Sequence, residues 1–137
     1  MDDERGDAAL DPAMDLPSQR FADAVVLAPA GRINHANYEE LKAGLWPFVE
    51  RCTASGDRLV LDLSRVEYIS SAGLLVLMLA TKQARAQGGT VVVAALQTFV
   101  KEIFNISRFA TLLEIHPTVR DALARISPTA LAAFDGR

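Results

Sequence analysis

Two adjacent serines, Ser70 and Ser71, fall near the end of the segment DLSRVEYISSAGL, Asp62–Leu74. An apolar run ends just before this segment and another begins just after it, so the serines are expected where a helix starts. A hydroxyl there has two uses. It can accept hydrogen bonds from the backbone N–H groups that lack partners in the first helical turn. It can also carry a phosphoryl group, because those N–H groups and the helix dipole favour negative charge by about 0.3–1 kcal/mol. A phosphoserine adds about -1.5 to -2 charge and strong acceptor oxygens. The residues alone leave cap and phosphosite both open. Ala72 and Gly73 follow, and a glycine lets a partner or a neighbouring backbone come close.

These residues need elements to hold them. Apolar runs bounded by turn residues predict strands at Leu16–Phe21, Ala24–Ala28, Leu59–Leu63, Thr90–Ala94 and Leu113–His116. The first two form a hairpin through Ala22–Asp23. Helical spacing of apolar residues predicts helices at Asn37–Cys52, Ser71–Gln87, Thr98–Asn105 and Pro117–Ile126. Asn37 and Glu40 suit a capping box, and Pro47 is expected to kink or shorten the first helix. Ala72–Ala80 is apolar all round, so the start of the second helix is expected deep in the core. Trp46 and Phe48 are read as helix packing residues, and Phe99, Phe104 and Phe109 as packing beneath the third helix. Strands separated by helices imply parallel, right-handed crossovers. The expected fold is α/β. It has a mixed sheet of about five strands, with an antiparallel edge hairpin at the N-terminal side. About four helices lie mainly on one face.

Other chemistry is thinly represented. His35 sits beside Asn34 in a predicted loop, and His116 precedes Pro117 at a helix start, where a structural role is expected. Two histidines and one cysteine, Cys52, show no ligand spacing, so no metal site is expected. Ile69 occupies the first glycine position of a G-x-S-x-G elbow, and neither G-x-G-x-x-G nor a P-loop is present. The chain reads as a non-enzyme without a cofactor.

The chain has 137 residues, half of them hydrophobic, and a formal net charge of -3. One domain is the expectation at this length. The charge is uneven: residues 1–23 hold -5 and the remainder +2. Residues 1–15 are read as an acidic, disordered leader, 16–126 as the domain, and 127–137 as a tail that frays. Weak acidity argues against direct nucleic-acid binding. The longest apolar stretch is nine residues against about 20 for a membrane span, so a cytoplasmic protein without membrane insertion is expected. An exposed edge strand leaves monomer and weak dimer both open.

Four segments in order carry a resemblance: PAGRINHA (Pro29–Ala36), LVLDLSRVEYISSAGL (Leu59–Leu74), GGTVVVAA (Gly88–Ala95) and FVKEIFNIS (Phe99–Ser107). Together they resemble the STAS domain, and a stand-alone STAS domain most resembles the bacterial anti-sigma factor antagonists. The resemblance implies a partner that is both anti-sigma factor and serine kinase, and a serine phosphatase that reverses its action. It implies phosphorylation at Ser71, with Ser70 as the alternative acceptor. It also implies a partner surface of Arg32, Asn34, His35, Ser70, Ser71, Ala72 and Gly73. Ser70 and Asn34 stand where the family carries aspartates, which removes negative charge from that surface. Two alternatives share the resemblance: a small STAS subunit docking on the ATPase of a membrane-lipid transport system, and a non-phosphorylated scaffold in a signalling complex.

Overall fold

The computed structural model describes residues 16–108 and 111–137. The expected leader, residues 1–15, and Phe109 lie outside the described residues. Five strands form one mixed sheet: β1 (Ser18–Phe21), β2 (Ala24–Leu27), β4 (Arg58–Asp62), β6 (Val91–Ala94) and β7 (Ile115–His116), in the spatial order β1-β2-β4-β6-β7. β1 pairs antiparallel with β2, and the other pairs are parallel. Ala22, in the hairpin turn, takes a positive φ of 55°.

The central strands are buried on both faces, which is why they read as unbroken apolar runs. Along AVVL, Val25 and Leu27 join one core and Ala24 and Val26 the other. The first core packs beneath α1 (Tyr38–Glu50), α2 (Ser71–Ala86) and α3 (Thr98–Ser107). The second packs beneath α4 (Val119–Ile126) and α5 (Pro128–Asp135). Among the described residues helices therefore cover both faces, three on one and two on the other.

The tail expected to fray is instead helix α5, and this accounts for much of the second face. Ser127 starts it: the Ser127 Oγ accepts a hydrogen bond from the Ala130 N–H at 3.1 Å and donates one to Asp23. Arg58 holds the same carboxylate at 2.7 Å. Phe134 then packs edge-on to Phe21, with ring centroids 5.2 Å apart. The alanines of PTALAAFD suggest little burial by themselves, yet Ala130 is fully buried.

Two further strands run through segments read as loops. β3 (Ala30–Ile33) and β5 (Arg65–Ile69) form a separate parallel pair. Their register shifts between Gly31 and Arg32, which face Val66 and Tyr68. The irregularity lets Val66 and Ile69, three residues apart, both turn inward while Glu67 and Tyr68 lie toward solvent. It also breaks the period-two pattern by which the strand would have been recognised.

Smaller differences have local causes. α1 runs through Pro47 to Glu50, because Leu41, Leu45 and Val49 on both sides of the proline are buried. Asn37 makes no side-chain cap for α1; its amide turns back to the loop before it. α4 starts at Val119, capped by Thr118, so Pro117 precedes the helix.

Candidate functional site

The β3–β5 pair delivers two loops to one place. β5 ends at Ile69 and passes directly into α2, while β3 ends at Ile33 and passes through a turn into α1. The Ser70 N–H donates to the Ile33 carbonyl at 2.8 Å, joining the two exits.

The structure separates the roles of the two serines. Ser70 is buried, its backbone is extended (φ -81°, ψ 170°), and its Oγ accepts from the Gly73 N–H at 3.2 Å. Its carbonyl accepts from the Leu74 N–H at 2.9 Å, opening the helical ladder. Ser70 is the cap. Ser71 is the first residue of α2 and is exposed. Among the described residues its hydroxyl has no hydrogen-bond partner. No acidic residue lies in the first turn of α2, so no side chain there offsets the positive end of the helix dipole.

Gly73 is buried and faces inward. A Cβ at this position would lie 2.7 Å from Ile33 Cγ2 and 2.8 Å from Ile69 Cγ1. The close approach expected at this glycine is thus made by core side chains. Gly73 sets how closely α2 rests on the strand pair. Ala72 is half-buried beside the exposed Ser71.

The turn between β3 and α1 is held by asparagines. The Asn34 Oδ1 accepts from the Ala36 N–H at 2.9 Å, and the Asn34 N–H donates to Asn37 Oδ1 at 2.8 Å. The Asn37 amide donates to the Arg32 carbonyl at 2.8 Å. Asn34 is therefore committed to turn geometry, while His35 is exposed at its tip.

Arg32 and Tyr68 project from the opposite side of the strand pair to Ile33 and Ile69. The Arg32 guanidinium lies 4.6 Å from the centre of the Tyr68 ring, and Tyr68 stacks on Phe99 of α3 with centroids 6.4 Å apart. Phe99 is 55% exposed, so it does not pack beneath α3 as expected, whereas Phe104 is fully buried.

Leu75 and Leu79 also emerge as surface residues, 43% and 36% exposed. The start of α2 is not buried all round. Ser71, Leu75 and Leu79 recur every four residues and line its outward face. That spacing is visible in the sequence; what concealed it was the equally apolar inward face. Tyr68 had no comparable signal, because its exposure depends on the register shift.

Among the described residues no helix is long and apolar enough to cross a membrane, and no group of three His, Cys, Asp or Glu is placed to hold a metal.

Comparison with known proteins agrees with this architecture. The profile of the STAS domain matches residues 16–122. The candidate anti-sigma factor antagonist BtrV of Bordetella bronchiseptica is 37% identical over 118 residues, covering 86% of this chain and 98% of that one. The crystal structure of a candidate anti-sigma factor antagonist from Thermotoga maritima superposes with a TM-score of 0.73 at 22% identity, over 81% of this chain and 93% of that one. The Bacillus cell fate determinant SpoIIAA in its phosphorylated form superposes with a TM-score of 0.60 at 14% identity, over 82% of this chain and 99% of that one.

Proposed function

The chain belongs to the STAS domain family, and from that premise we propose that it is an anti-sigma factor antagonist switched by phosphorylation of Ser71. The partner is an anti-sigma factor with serine-kinase activity, and a serine phosphatase returns the protein to its binding form. The observation that carries this reading is the division between the serines: Ser70 is consumed in capping α2 while the Ser71 hydroxyl is exposed and unengaged among the described residues. The name of the Bordetella relative supports the partner class.

The switch follows from where Ser71 sits. Unmodified, it offers a small neutral group beside Leu75, a surface that a partner can cover without desolvating a charge. Phosphorylation moves the γ-phosphoryl group of ATP to the Ser71 oxygen, ADP leaves, and the hydroxyl proton is lost. The new dianion is favoured by the free N–H groups at the start of α2, but it must be dehydrated if a partner is to seat on Leu75. Each 1.4 kcal/mol of that cost weakens binding about tenfold. Arg32, Asn34, His35 and Ala72 complete the surface, with Asn34 shaping the turn that presents His35.

The test is incubation with the cognate kinase and ATP followed by mass spectrometry. Phosphate is expected on Ser71 and not on Ser70. Ser71→Asp is expected to lose the anti-sigma factor and Ser71→Ala to hold it constitutively. An active kinase that leaves Ser71 unmodified, with both variants binding like the parent chain, would sink the reading and favour the transport-subunit or scaffold alternatives.

A further inference from the structure

A cavity of about 280 Å³ lies at the carboxyl ends of the parallel pair β6–β7, lined by Leu96, Lys101, Asn105, Ile115, His116 and Pro117. The two strands end level, with Ala94 opposite His116. Leu96 follows the end of β6 and Pro117 the end of β7. α3 supplies Lys101 and Asn105, which are four residues apart and so lie on one face of that helix.

The frame of the cavity is tied to the sheet. The Ala95 N–H donates to the His116 carbonyl at 3.0 Å, and the Gln97 side-chain amide donates to the Ser64 carbonyl at 2.8 Å. Ala95 takes a positive φ of 65°, which an L-residue seldom adopts. The wall that carries Leu96 is therefore built on a strained residue held in place by its neighbours.

The charges around the cavity are unequally matched. The Glu114 carboxylate is taken up by His116 at 2.6 Å and by Arg125 at 3.3 Å. Among the described residues the Lys101 ammonium has no carboxylate partner and the Asn105 side-chain amide no hydrogen-bond partner. The cavity thus joins aliphatic walls, from Leu96, Ile115 and Pro117, to two donors with nothing to hold. Apolar walls with a few polar groups are the usual form of a small-molecule site, and this volume falls just under the about 300–1,000 Å³ of drug-sized ones. A neutral chain would leave Lys101 unused. A dianion would bring its second charge toward Glu114, which lies against His116.

We propose that this cavity binds a short aliphatic monocarboxylate. The carboxylate lies against Lys101 and Asn105, and the tail against Leu96, Ile115 and Pro117. None of the six lining residues belongs to the surface proposed above for the anti-sigma factor, so the site does not rest on that reading.

The test is a titration of the full chain with sodium hexanoate, followed by amide chemical shifts. Saturable shifts are expected at Leu96, Lys101, Asn105, Ile115 and His116, with half-saturation at about 1 mM, as suits so small a ligand. Hexanol, which has the tail without the charge, and the K101M chain, which keeps an unbranched side chain without the charge, are each expected to bind about tenfold more weakly. Shifts that are absent, that fail to saturate or that centre on another surface would overturn the proposal. So would equal affinity for hexanol or in the K101M chain. Equal shifts with inorganic phosphate would also overturn it, since the site would then respond to charge alone.

Discussion

The Ser70 N–H donates to the Ile33 carbonyl at 2.8 Å. This bond ties the start of α2 to the end of β3, so the two segments that form the proposed partner surface are held by one another. A change in either exit strand is felt at Ser71.

Removing the cap is expected to cost stability without removing the proposed phosphosite. Ser70→Ala deletes the oxygen that accepts from Gly73, a loss of about 1 kcal/mol for an N-cap. Urea unfolding should show that decrease, and kinase treatment should still place phosphate on Ser71. Loss of Ser71 phosphorylation with full folding retained would show that the Ser70 hydroxyl acts in recognition.

Gly73→Ala is expected to be more damaging than its single added carbon suggests. The new methyl must displace Ile33 and Ile69, both fully packed, and overpacking of this kind costs about 1–3 kcal/mol. Thermal denaturation checks the stability, and amide chemical shifts at Arg32–Asn37 should move with it. Unchanged stability would mean that α2 can lift off the strands freely.

Leu75→Ala is expected to leave the fold almost intact, because the side chain is already 43% exposed. Its effect should appear in affinity for the anti-sigma factor, weakened by about tenfold or more if the leucine is a central contact. Binding unchanged by Leu75→Ala would place the contact surface elsewhere.

Burial pushes the Cys52 thiol above its ordinary range. The folded chain therefore keeps its thiol proton to higher pH than the unfolded chain does. Above about pH 8.5 the unfolded state ionises first, so this group lowers stability as pH rises. Cys52→Ala should flatten the alkaline decline relative to the parent chain, measured by urea unfolding from pH 7 upward. A decline of the same steepness in both would remove Cys52 as its source.

The strands of the central sheet were legible because burial on both sides leaves them uniformly apolar. The helix starting at Ser71 was legible because a polar pair precedes a long apolar run. β5 was not, because the shift opposite Gly31–Arg32 places two outward residues in succession and hides the alternation. α5 was not, because its stability lies in contacts distant in sequence: Ser127 reaches Asp23, and Phe134 reaches Phe21. Ser70 and Ser71 have separate environments: the first caps α2 and the second is exposed. Only the side-chain positions could separate them, since both are serines at adjoining positions.

The seal made by α4 and α5 also makes the sheet depend on residues far from it in sequence. Ala24, Val26, Val60 and Val92 form a face whose cover comes from residues 119–135. Without that stretch, one side of the sheet would be a bare apolar surface open to association with other chains.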